Sequence, residues 1–261
     1  MGWSTCTDVR VFLAAAGDFL ASEPVGHTVL LTEAAYLEAT AAGGEFGWWA
    51  GADGVVAGAF LWAPRHVPVL TPVPEVALSS LADALGGVDG LAVDGRDATR
   101  VAAAWRGSTG AGLVERSRVS VCRLTALRAS GASEEGRSRC GTWDDRELLV
   151  GWFRELMAAN PGDPSDLAYV IDEPLRYGGL TVWEVDGRPV AMAGRSRVVA
   201  GMTRVSASYA PDGRTDAVFA AACAEAAQVA EHVVVLTTDV AGYRALGFEP
   251  VLDRVTLAVA E

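Results

Sequence analysis

Between Arg204 and Asp253 the chain runs through a β-branched segment, a turn, a small-residue segment, a second β-branched segment and a short aromatic-glycine element. Apolar segments in that order bury themselves only as a sheet covered by a helix. Residues 204–210 read as a strand and 211–216 as a Pro-Asp-Gly turn. The Ala-rich stretch to about residue 230 reads as a helix, and 233–239 as the next strand. A strand that turns tightly into a helix presents unpaired N–H groups and the positive end of the helix dipole to an anion. The same pattern also serves plain packing, so the residue types at the turn have to decide.

Those residues are Arg214-Thr215-Asp216-Ala217-Val218-Phe219, and the second strand is followed by Tyr243-Arg244-Ala245-Leu246-Gly247-Phe248. The order, and the closing Tyr-x-x-x-Gly-Phe, resemble the acyl-CoA-binding half of the GNAT (GCN5-related) N-acyltransferases, in a tandem two-domain, actinobacterial type. That family writes its turn as Gln/Arg-x-x-Gly-x-Gly/Ala. The resemblance implies that Arg214, Thr215, Asp216, Ala217, Val218 and Phe219 bind the cofactor phosphates, and that Val205, Ser208 and Tyr209 line its arm. It departs from the pattern where Ala217 and Phe219 put Cβ atoms in place of the smallest residues, and where Asp216 adds a negative charge. Acetyl-CoA or another acyl-CoA is the implied cosubstrate, without a metal.

The resemblance also implies that Tyr243 is the general acid for the departing thiolate. A phenol with an ordinary pKa near 10 is protonated at neutral pH. Only Val240-Ala241-Gly242 separates Asp239 from Tyr243, where the family has an Asn-containing loop, so the helix carrying the tyrosine must be short. An aromatic before Gly-Phe is equally an ordinary core residue. For the base that takes the ammonium proton, Glu184 after Trp183 is the first candidate and Asp239 the second. The family's first helices wall the acceptor, which makes Trp152, Tyr169, Asp172, Glu173 and Tyr177 candidates for acceptor contact.

An internal repeat organises the chain. Two Asp-Gly pairs, Asp53-Gly54 and Asp186-Gly187, sit between strand-like segments, and Gly112-Leu113 with Arg118 echoes Gly247-Phe248 with Arg254, at a period of roughly 130 residues. The fold class is therefore α+β: two tandem GNAT-like domains, each a mixed, mostly antiparallel sheet flanked by helices. Their expected limits are 1–127 and 138–261, joined by a polar Gly/Ser-rich linker at 128–137. In the first half helices are predicted at 9–21, 32–42, 74–85 and 98–105, and strands at 47–50, 55–64, 91–93 and 115–124. In the second a strand at 138–142 precedes helices at 145–159 and 166–177. Residues 68–75 hold three prolines and neither Gly nor Arg, so the first half is expected to be a degenerate copy without a phosphate cradle.

A formal charge of −12 with no basic cluster disfavours nucleic acid and anionic lipid and suits a small-molecule amine acceptor. No apolar run approaches about 18 residues and no basic leader precedes one, so a cytoplasmic protein that does not enter membranes is expected, as a monomer or homodimer. Cys6, Cys122, Cys140 and Cys223 are scattered singly, which argues for free thiols rather than a zinc site. His27, His66 and His232 have no partner at a useful spacing. The expected function is acyl-CoA-dependent N-acylation of a small-molecule amine, in natural-product biosynthesis or self-resistance. A catalytically inactive GNAT-like protein binding a ligand or partner is the alternative, and another reaction on an acyl thioester a third.

Overall fold

In the computed structural model, which describes residues 1–128 and 135–260, each Asp-Gly pair turns a hairpin. The first joins β2 (Glu45–Ala50) to β3 (Val56–Trp62), with Gly54 at φ 78°. The second joins β8 (Leu180–Val185) to β9 (Arg188–Arg195), with Asp186 and Gly187 at φ 52° and 73°. In the second hairpin the paired positive φ values match the twist of the strands, and Asp and Gly adopt them at least cost; in the first only Gly54 takes one. Most of the expected linker, residues 129–134, lies outside the described residues.

One compact unit comprises residues 1–121 and 250–260. Its sheet runs β1-β2-β3-β4-β5-β12, with β1 Gly2–Cys6, β4 Val69–Leu70, β5 Gly90–Asp94 and the later part of β12 (Phe248–Val259). Helices α1 (Val9–Ser22) and α2 (Thr28–Thr40) precede the first hairpin; α3 (Glu75–Leu78), α4 (Leu81–Leu85) and α5 (Ala98–Thr109) follow it. Asp8 caps α1 by accepting from the Arg10 N–H at 2.8 Å. Strand β6 (Leu113–Leu124) contributes its residues up to Val121 to this unit. The core gathers Trp49, Phe60, Leu70, Leu78, Leu81, Leu91, Val93, Trp105, Val255 and Leu257.

Two of those core residues correct the expected domain limits, which assigned 250–261 to the second half. Strand β12 pairs antiparallel with β5 from Arg254↔Asp94 to Ala258↔Gly90. Val255 and Leu257 are thereby buried in the first unit, each worth about 1.5–3 kcal/mol of apolar burial. Three local expectations also change. Strand β1 falls in a stretch too polar to announce itself, α2 starts at Thr28 rather than 32, and the helix expected over 74–85 breaks at Ser79-Ser80 into α3 and α4.

The other unit, residues 122–249, has the sheet order β11-β10-β9-β8-β7, with β7 Arg137–Cys140, β10 Met202–Tyr209 and β11 His232–Thr237. Three successive antiparallel pairings end in one parallel pairing, β10 with β11. In the first unit β1 to β5 repeat that order and those senses, ending in the parallel pair β4 and β5. Helix α8 (Asp216–Val229) packs Val218, Phe219, Ala222, Cys223 and Ala226 against Val205, Val233 and Val235 on one face of the sheet. A second cluster joins Leu149 and Trp152 of α6 (Arg146–Ala159) to Val170, Ile171, Leu180, Val182 and Met192. The helix expected over 166–177 is a π-helical turn, Ala168–Asp172, followed by α7 (Glu173–Tyr177). Pro174 has no N–H to return to Val170, so a regular α-helix cannot run through it.

Candidate active site

Strands β10 and β11 pair in parallel only from Met202↔His232 to Arg204↔Val234, although β10 continues to Tyr209 and β11 to Thr237. The cause is a bulge. Ala207 stands at φ 55°, and the register of β10 against β9 shifts between Ser206↔Gly194 and Tyr209↔Met192. A non-glycine residue in the left-handed region costs about 1–3 kcal/mol and is held there by its surroundings. Beyond Arg204 the two strands therefore part, releasing backbone groups of 205–209 from β11, with Val205 buried, and Ser208 and Tyr209 half-buried, along the opening.

Helix α8 begins beside that strand. Thr215 is its N-cap and makes no side-chain cap. The Phe219 N–H already donates to the Thr215 carbonyl at 2.9 Å, so the helix offers the amides of Asp216, Ala217 and Val218 to a ligand but not that of Phe219. The Phe219 side chain is buried in the core under α8 instead of standing in the turn. Arg214 is exposed and grips Asp212, through Nε at 2.9 Å and Nη2 at 2.6 Å to Oδ2. Asp216 lies exposed in the first turn. These three amides fit an anionic group; the Asp212 and Asp216 carboxylates oppose one.

Tyr243 lies on α9 (Val240–Ala245), six residues long, which agrees with the short connection. Its ring packs edge-on to Phe219 and Phe248, and burial, then the nearby Cys223, Asp239 and Cys122, push its pKa above the ordinary value. It is therefore protonated across the neutral range. Asp239, the second candidate base, caps this helix through Oδ1, which accepts from the Gly242 N–H at 2.9 Å. Gly247 has φ 97°, and a Cβ there would stand 1.8 Å from the Ala126 carbonyl oxygen. No other residue fits that place.

Glu184 does not reach this group. Its side chain is held by Arg139 Nε at 2.6 Å and Arg137 Nη2 at 3.4 Å, and Arg139 first, then Arg137, hold its pKa below the usual carboxylate value. A carboxylate so paired is a poor proton acceptor. Among the expected acceptor contacts, Asp172 pairs with Arg146 at 2.8 Å, and the buried Glu173 with Arg176 and, at 2.8 Å, with Arg197. Tyr177 donates to the Arg195 carbonyl at 2.7 Å beneath the Arg197 guanidinium, and burial raises its pKa. Tyr169 accepts from Arg204. Asp172 thus ties the π-helical turn to α6, and the other three brace the turn and α7 against β9, β10 and the loop between them.

Trp152 and Tyr209 do come together, with ring centroids 6.3 Å apart. Between them the sequence reasoning missed Glu155, which accepts the Tyr209 hydroxyl. Its signal was the spacing of Asp144, Glu147, Gly151 and Glu155, one stripe of a helix, and these residues with Leu148 and Trp152 line an open groove along α6. In the first unit the matching parallel pair, β4 with β5, meets at Val69↔Ala92. There β4 has two residues, Pro74 caps the four-residue α3, and the buried Arg254 guanidinium donates to the Leu70 and Gly26 carbonyls at 3.0 and 3.1 Å. Among the described residues no helix is long and apolar enough to cross a membrane, and no group of three side chains suits a metal ion.

No protein family and no curated protein matches the chain by sequence. Solved structures do resemble it. An acetyltransferase of the GNAT family from Colwellia psychrerythraea superposes over 100% of both chains with a TM-score of 0.60 at 12% identity. A GCN5-related N-acetyltransferase from Sphaerobacter thermophilus covers 98% of this chain and 94% of its own, with a TM-score of 0.59 at 14% identity. One from Kribbella flavida covers 79% and 89%, with a TM-score of 0.55 at 16% identity. The α+β chain described above thus has the fold of the GNAT acetyltransferases.

Proposed function

We propose that this protein transfers an acyl group from coenzyme A to the nitrogen of a small-molecule amine, through the second unit. The observation that carries this reading is the parting of β10 from β11 beyond Arg204, where Ala207 bulges, beside the open amides of α8, whose Phe219 carries the Tyr243 ring. Backbone groups at the parted strand would orient the thioester and polarise its carbonyl. The amides of Asp216, Ala217 and Val218 would meet the pyrophosphate. Tyr243 would return a proton to the thiolate. The first unit is then a degenerate second copy of the same fold, which the repeated strand order and the filled position at Arg254 support. Natural-product biosynthesis or self-resistance would be the setting.

One observation favours a second reading, a catalytically silent protein that binds a ligand or partner. Arg214 is turned onto Asp212, leaving the mouth of the proposed phosphate site flanked by acidic side chains. Calorimetric titration with acetyl-CoA separates the two. Saturable binding to wild type, competed by CoA, supports acyl transfer; no binding moves the protein to the silent class.

A further inference from the structure

The scheme above lacks a group to take the proton from the acceptor's ammonium. Glu184 is held by two arginines and Asp239 caps α9. The Glu155 carboxylate does reach the parted strand. Tyr209, the last residue of β10 and two past the Ala207 bulge, donates its hydroxyl to Oε2 of Glu155, and Trp152 packs beside the Tyr209 ring. Glu155 is exposed, and its other oxygen has no hydrogen-bond partner among the described residues. It stands at the strand end of the α6 groove, whose middle is kept open by Gly151: a Cβ there would have no atom within 4 Å.

We infer that Glu155 is the catalytic base of this transfer, that Tyr209 positions it, and that the acceptor is a cationic amine arriving along the α6 groove. The inference rests on the acyl-transfer reading. In the step, an ammonium N–H proton passes to the Glu155 carboxylate, and the freed lone pair attacks the thioester carbonyl carbon. The C–N bond forms as the C–S bond breaks, and the thiolate takes its proton from Tyr243. Glu155 then gives its proton to solvent, the acylated nitrogen sheds its second proton, and Tyr243, left as phenolate, is reprotonated by it through solvent, so the products are a neutral amide, free CoA and one released proton. Tyr209 holds one carboxylate oxygen by its hydroxyl, which leaves the other to face the amine. Asp144 and Glu147 line the same groove and favour a cation over a neutral acceptor.

Spermidine serves as the probe amine, with thiol release from acetyl-CoA and calorimetry as the two measurements. Glu155→Gln should bind acetyl-CoA as wild type does, lower turnover by about 10²-fold, and weaken spermidine binding measured without acetyl-CoA. Gly151→Leu, which fills the groove and favours the helix, should raise the spermidine Kd at least severalfold without loss of thermal stability. Tyr209→Phe should lower kcat roughly tenfold at unchanged KM and displace the pH–rate profile, which a merely structural tyrosine would not do. Wild-type turnover by Glu155→Gln, with acetyl-CoA binding intact, would remove Glu155 and leave acyl transfer standing. Failure of wild type to bind acetyl-CoA would remove both. Absence of spermidine binding, or indifference of that binding to Gly151→Leu, would overturn the groove as the acceptor's path.

Discussion

Phe219 and Tyr243 meet edge to face, their ring centroids 5.4 Å apart and their planes at 89°. The contact ties the first turn of α8 to α9, so the amides at one end of the candidate site and the hydroxyl at the other share a wall. An aromatic pair in this geometry is worth about 0.5–1.5 kcal/mol beyond its buried area. Three expectations follow from this wall and the turn before it, and a fourth from the Arg139–Asp145 pair.

Tyr243→Phe keeps both ring contacts and removes only a hydroxyl that has no hydrogen bond among the described residues, so the melting temperature should hold. Turnover should fall by about 10²-fold, near 2.7 kcal/mol, with acetyl-CoA affinity unchanged. Because burial raises the Tyr243 pKa, the wild-type rate should not decline on this group's account until pH passes the ordinary tyrosine value of about 10. Equal single-turnover rates in the two proteins would take Tyr243 out of the chemistry.

Phe219→Ala should destabilise by about 3–5 kcal/mol, measured by denaturant unfolding, because the ring is buried against Tyr243 and Phe248. Phe219→Leu should cost less. Tighter acetyl-CoA binding by either variant would mean that the ring does obstruct the phosphate site.

Asp212→Ala removes a negative charge from the turn and takes one partner from Arg214. Acetyl-CoA affinity should rise by roughly threefold or more at low salt, and this gain should shrink as salt is added. In the double variant with Arg214→Ala most of the gain should vanish; if it persists in full, Arg214 has no part in binding.

Asp145 accepts from Arg139 at 2.7 Å and from the Thr142 N–H at 2.8 Å, and Arg139 foremost lowers its pKa to about 2 from 3.8. A carboxyl depressed on folding stabilises above its unfolded pKa and loses that contribution as pH falls through the folded one. Asp145→Asn should therefore cost about 1–2 kcal/mol at pH 7, less than the full shift because Arg139 is partly in water, and the difference should fade between pH 4 and 2. A pH-independent difference would assign the effect to the lost cap alone.

What the sequence revealed was what neighbours in the chain determine. The Asp-Gly hairpins were legible because few residues take positive φ, and the α9 region because the Tyr-x-x-x-Gly-Phe run of 243–248 sets a glycine where φ is 97°. The partners of the charged side chains were not legible. Glu184 read as a free carboxylate until β7 set Arg139 and Arg137 beside it, and Arg214 read as a phosphate ligand until it met Asp212 two residues away. Glu155 was hidden for the opposite reason: its partner, Tyr209, lies on another element, and the bulge that helps place Tyr209 turns on an alanine. The strand exchange at 250–260 also depends on distant residues, since a run such as Arg254-Val-Thr-Leu257 suits either sheet.

That last strand has a consequence during synthesis. Residues 250–260 supply Val255 and Leu257 to the first unit's core and Arg254 to the carbonyls of Gly26 and Leu70, yet the ribosome makes them only after all of 122–249. The first unit must therefore wait on the ribosome with the outer edge of β5 uncovered, while the second can close as soon as Gly247 and Phe248 emerge. The part of the chain translated first is the part that finishes folding last.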